Sequence, residues 1–102
     1  MEFKEVIIRA NQIKDKYNAM HKTQAEPEWG LSEYTQGLVG DVGELMNLIM
    51  AKQGFRTTAD LDAKLKHELA DCLYSICVIA QELNIDLEKE FIKTMAEIEN
   101  KI

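Results

Sequence analysis

Four carboxylates stand in two pairs at helical spacing, Asp41-Val-Gly-Glu44 and Glu68-Leu-Ala-Asp71. Residues three apart on a helix project from one face, and both pairs are set into apolar-periodic segments. At about 3.6 residues per turn, Glu68 lies close in angle to Leu65 and Cys72, and Asp41 lies between Leu38 and Leu45. An ionised carboxylate so placed is costly without a partner. For a single acid, a cap, a lysine or water is explanation enough. Two pairs on successive helices point instead to a hard cation held by oxygen ligands, and four carboxylates suit Mg²⁺ or Mn²⁺.

The histidines argue against other metal chemistry. Di-iron and di-manganese carboxylate bundles use Glu-x-x-His on two helices, and neither His21 nor His67 has a glutamate three residues before it. His67 directly precedes Glu68, but no His-Glu-x-x-His occurs, which disfavours a zinc protease. Neither histidine is assigned a catalytic role. An all-carboxylate site favours Mg²⁺, and Mg²⁺ favours phosphate chemistry, bridging phosphate oxygens and preparing water for in-line attack. Trp29, the only tryptophan, precedes the first acidic helix and could stack on a base, or pack as a hydrophobic staple at the helix entry. Tyr74, one turn after Asp71, could line the same pocket, although core or interface packing suits it better.

The bulk properties fit a small soluble domain. The 102 residues are 46% apolar and 29% charged, ordinary values for one globular domain spanning 1–102. The net charge of -6 argues against a surface that coats nucleic acid. It leaves room for a phosphorylated small molecule, because a bound cation inverts the local field. No apolar run reaches transmembrane length and the first residues lack a signal-peptide stretch, so no membrane partner and a cytoplasmic location are expected. Cys72 and Cys77 lie five apart on different faces of one helical segment. That geometry disfavours a disulfide between them and suits buried structural thiols.

Positioning the acids requires helices. The apolar period predicts four of them and no sheet. The first runs from about Glu2 to about His21, with a stripe through Phe3, Val6, Ile7, Ala10, Ile13, Tyr17 and Met20. The second opens with Ser32 as N-cap and Glu33 in its first turn, and ends near Gly54. The third begins after Thr57-Thr58, carries Leu61, Leu65, Leu69, Cys72, Ile76, Ile79 and Leu83, and stops at Asn84. Asp86 then caps a fourth helix with Leu87, Phe91, Met95, Ile98 and Ile102 along one side. The expected fold is an all-α four-helix bundle. Its stripes are too wide for one small bundle to bury, so oligomerisation, as homodimer or homotetramer, is expected to complete it.

The run Gly37-Leu-Val-Gly-Asp-Val-Gly-Glu-Leu45, then His67-Glu-Leu-Ala-Asp71, with Asn-Ile-Asp-Leu at 84–87, resembles the MazG-like nucleotide pyrophosphohydrolases, of the all-α NTP pyrophosphatase group. Their pattern is E-x-x-E, a variable spacer, then E-x-x-D. The resemblance extends from about Trp29 to the C-terminus. It implies Mg²⁺-dependent cleavage of a nucleoside triphosphate between the α and β phosphates, giving a monophosphate and pyrophosphate. Asp41, Glu44, Glu68 and Asp71 would hold the metal, and Glu44 or Glu68 would orient or deprotonate the attacking water. Lys64, where some relatives carry a lysine, and Lys93 and Lys101 on the last helix, where the family often has basic residues, are the candidates for phosphate contact. Glu97 stands where another basic residue would be expected.

The chain departs from the pattern at Asp41, which replaces the family's first glutamate and is one methylene shorter. Gly37, Gly40 and Gly43 recur every three residues beside it, each weakening an isolated helix by about 1 kcal/mol relative to alanine. Close helix approach, or room for metal and phosphates, would account for them. The competing readings are a non-catalytic helical interaction module that kept the fold, supported by Asp41, and a metal-storage or redox bundle, which lacks histidine ligands.

Overall fold

The computed structural model describes all 102 residues. It contains four α-helices and no strand: α1 (Phe3–Thr23), α2 (Leu31–Lys52), α3 (Leu61–Glu82) and α4 (Leu87–Asn100). The all-α expectation therefore holds, with the helices where the apolar period placed them. No helix is long and apolar enough to cross a membrane.

The chain groups into two compact units, Met1–Glu28 with Cys77–Ile102, and Trp29–Ile76. In the first, Ala10 of α1 and Cys77, Val78 and Ala80 of α3 are buried. Phe3 lies against Phe91 with ring centroids 6.4 Å apart, and Lys14 pairs with Glu82 at 3.3 Å. Asn84 takes a left-handed conformation (φ 55°), and the Ile85 N–H donates to the Ala80 carbonyl at 2.9 Å. This is the Schellman ending that asparagine at that position favours. Asp86 accepts from the Lys89 N–H at 3.1 Å and caps α4, as its side chain chemistry predicts.

The second unit is the hairpin that carries the acids. Its start corrects the sequence reading, because the N-cap of α2 is Gly30 and not Ser32. The Glu33 carboxylate reaches back to accept from the Gly30 N–H at 3.0 Å, the reciprocal half of a capping box. This contact fixes the helix start two residues earlier than a serine cap would. Trp29, immediately before the cap, packs on Tyr34 with centroids 5.9 Å apart. These are the N′ and N4 positions of a hydrophobic staple. At the other end Gly54 sits at φ 88°, and the Phe55 N–H donates to the Met50 carbonyl at 2.9 Å. A left-handed residue is needed to turn the chain there, and glycine adopts that conformation without a Cβ clash.

The register of the hairpin follows from its contacts. Lys52 pairs with Asp62 at 2.9 Å, while Asp41, eleven positions earlier, meets Glu68 and Asp71. Advancing along α2 therefore means retreating along α3, so the two helices run antiparallel. Tyr34 and Leu48 of α2 and Glu68, Cys72 and Ser75 of α3 are its buried residues.

Candidate metal centre

The antiparallel register brings acids from both helices to one level. Asp41 of α2 and Glu68 and Asp71 of α3 each place one carboxylate oxygen within 4.8 Å of the other two. Asp41 and Asp71 are half-buried, and Glu68 is only 9% exposed. Its Oε1 is buried with no hydrogen-bond partner. A buried acceptor left unsatisfied costs about 1–3 kcal/mol, and more when charged, so this atom calls for a cation or a proton. Burial raises the Glu68 carboxyl above its ordinary value of 4.5, with the Asp41 carboxylate beside it and the charges of Asp71 and Glu44 adding to the rise. Like charges gathered in a desolvated place hold a proton unless a cation replaces it. Three convergent carboxylates with one unpartnered buried oxygen fit a hard divalent ion.

Asp41 is short of one methylene relative to glutamate and still reaches the cluster. The neighbouring glycines do not achieve this through packing within the chain. A Cβ added at Gly40 or Gly43 would meet nothing within 4 Å, and one at Gly37 would meet only Trp29, at 3.8 Å, an ordinary contact. The expected close helix approach at Gly40 and Gly43 is therefore absent within the chain, because both lie on exposed sides of α2.

Glu44 stands apart from the three converging oxygens. It is exposed and lines, with Glu68, a cleft of about 390 Å³ that also takes in Asp60, Lys64 and His67. That volume is in the range of small-molecule sites. Lys64 brings a cation to the cleft, its Nζ donating to Thr58 Oγ1 at 3.3 Å. The other sequence-derived candidates are not among the residues lining this cleft. Tyr74 is half-buried and not among the residues lining this cleft, nor is Trp29, which is committed to the staple although 48% exposed. Lys93 and Lys101 are exposed residues of the other unit.

Two residues of the cleft were not anticipated. His67 Nε2 lies 3.0 Å from Asp71 Oδ2, gripping one oxygen of a cluster carboxylate. The i,i+4 spacing of His67 and Asp71 was the available signal. Asp60 lines the cleft from a left-handed conformation (φ 53°), and its carbonyl accepts the Lys64 N–H at 3.0 Å; no sequence pattern marks it. The thiols stay out of the chemistry. Cys72 and Cys77 are free and buried. Burial pushes the Cys72 thiol up, and the charges of Asp41, Glu68 and Asp71 push it further. Burial alone raises Cys77.

An all-helical chain with carboxylates of two antiparallel helices focused on one point, beside a cleft with a lysine, defines a candidate cation-assisted phosphate site. Comparison with known families agrees: residues 30–102 match the MazG nucleotide pyrophosphohydrolase domain, and the chain belongs to that family. No curated protein and no solved structure gives a significant match.

Proposed function

We propose that this protein is a divalent-cation-dependent pyrophosphohydrolase that cleaves a nucleoside triphosphate to the monophosphate and pyrophosphate. The observation that carries the reading is the buried, unpartnered Glu68 Oε1 within 4.8 Å of carboxylate oxygens of Asp41 and Asp71, in a chain of the MazG family. Asp41, Glu68 and Asp71 would hold Mg²⁺ or Mn²⁺, with Glu44 joining from the cleft. A cation bound there neutralises phosphate charge and lowers the cost of bringing a polyanion to an acidic site.

The remaining work falls to side chains. Glu44, exposed on the cleft wall, orients the attacking water and accepts its proton. Glu68 is the second candidate base, and its burial makes it better suited to holding the cation. The water oxygen bonds to the α phosphorus as the bridging bond to the β phosphate breaks, and the electron pair leaves on pyrophosphate. Lys64 donates to a phosphate oxygen as a point charge. His67 keeps Asp71 in one orientation by binding its Oδ2, as the outer partner of a metal ligand does. Trp29 retains an exposed face that could stack on a base while its staple contact persists.

Isothermal titration of Mg²⁺, with and without a non-hydrolysable nucleotide, tests the assignment. The expected result is weak binding of metal alone, since Mg²⁺ relies on substrate phosphates for part of its shell, and tighter binding with nucleotide. Loss of that metal binding in Glu68→Gln is expected, and its retention at wild-type strength would refute the site.

A further inference from the structure

We infer that Thr58 is a positioning residue of the cleft: its hydroxyl holds the Lys64 ammonium off the neighbouring carboxylates and keeps it free for the phosphate chain of the substrate. This role rests on the pyrophosphohydrolase reading of the same cleft. The local backbone explains the contact. Asp60, just before α3, is in a left-handed conformation (φ 53°), which aspartate takes more readily than most residues. Its carbonyl accepts the Lys64 N–H at 3.0 Å and so sets Lys64 at the end of the first turn of α3. The reversal at Asp60 brings Thr58 back beside that turn, where Thr58 Oγ1 accepts from Lys64 Nζ at 3.3 Å. Thr58 is half-buried and does not itself line the cleft, so it grips the lysine from outside and leaves the cleft open.

The partner that Lys64 takes sets it apart from other lysines of the chain. Lys14 and Lys52 pair with carboxylates, Glu82 at 3.3 Å and Asp62 at 2.9 Å. Lys64 shares its cleft with three acids, Glu44, Asp60 and Glu68, and its side chain donates to a neutral hydroxyl instead. An ion pair with one of these acids would neutralise the charge inside the chain and occupy a carboxylate that a bound cation needs. A hydroxyl acceptor leaves the charge whole. An ammonium carries three N–H donors; Thr58 takes one and the others remain for phosphate oxygens. The four-carbon stem of a lysine is flexible, so an anchored head has less freedom to lose when ligand arrives. Lys64 precedes Glu68 by one turn of α3, about 6 Å along the axis. That separation puts the ammonium beside the phosphates and not on the metal centre.

Steady-state kinetics of pyrophosphate release with Mg²⁺, over a panel of nucleoside triphosphates, test this in a double-mutant cycle. Thr58→Val removes the acceptor and keeps the shape, Thr58→Ala removes both, and Thr58→Ser keeps the hydroxyl. The expected result is a KM raised about three- to tenfold in Thr58→Val and Thr58→Ala, the span of one lost hydrogen bond. Turnover at saturation stays within about twofold, because a charge that meets phosphate in ground and transition states alike acts on binding. The factor is the same whatever the base, Thr58→Ser restores the wild-type KM, and Thr58→Val adds nothing in the Lys64→Ala background. Wild-type KM in Thr58→Val and Thr58→Ala, a Thr58→Ser as impaired as they are, or the same loss from Thr58→Val with and without Lys64 overturns the inference and leaves the reading of function intact. Collapse of helical circular dichroism in both Thr58→Val and Thr58→Ala makes the hydroxyl a requirement of folding and overturns it too. A wild type that releases pyrophosphate from no nucleotide overturns both.

Discussion

Glu68 carries the densest set of constraints in the molecule. Its carboxyl is raised by burial first and by Asp41, Asp71 and Glu44 after that, so without metal the folded chain holds this proton to higher pH than the unfolded chain. Stability from that proton is complete below the ordinary 4.5 and is lost as pH rises through the folded-state value. With metal chelated, the wild type's stability to thermal unfolding should therefore weaken, as pH rises above the ordinary 4.5, more than that of Glu68→Gln, which cannot titrate. Parallel pH profiles for the two would contradict the account. In turnover, Glu68→Gln should cost more than about 100-fold, beyond the 10–100-fold typical of a ligand's outer partner. Lys64→Ala should cost about tenfold, or about 1.4 kcal/mol, seen in initial rates. Asp41→Glu restores the family residue and should keep cation-dependent activity, because Asp41 already reaches the cluster.

Helix α2 shows how far the sequence could be read. The pairing of Asp41 with Glu68 and Asp71 was legible, because period and spacing put all three on the facing sides of successive helices. The displacement of Glu44 from the cluster was not, since three positions along a helix move a side chain about 60° round the axis and the reach of each carboxylate depends on helix separation. The start of α2 was misread because Ser32 has the cap chemistry, yet Glu33 and the Trp29–Tyr34 staple act together on Gly30. The helix ends were clear because Asn84 and Gly54 are residue types that take the left-handed conformation readily. The glycines offer a paired test. Gly40→Ala should stabilise by about 1 kcal/mol through helix propensity, since nothing lies within 4 Å of the new methyl. Gly54→Ala should destabilise by about 1 kcal/mol, because its φ of 88° disfavours any Cβ. Urea unfolding midpoints of the two variants should move in opposite directions.

Over the whole molecule, charge and the acidic cluster pull the same way. A chain of net charge -6 repels a free triphosphate at long range, so cation and nucleotide must arrive as mutually neutralising partners. Activity should vanish under excess chelator and return with added Mg²⁺, and the thermal midpoint should rise with Mg²⁺ and nucleotide together by mass action. The fold class was readable from four amphipathic periods, and so was an excess of apolar stripe over what one small bundle buries; which of those residues stay exposed was not, because every position of a stripe reads alike. The central claim is the bond that is cut. The direct measurement is the product released from a panel of nucleoside triphosphates with Mg²⁺, resolved by phosphorus NMR. The account predicts monophosphate and pyrophosphate in equal amounts, abolished in Glu68→Gln; orthophosphate without pyrophosphate, or no turnover of any nucleotide, would contradict it.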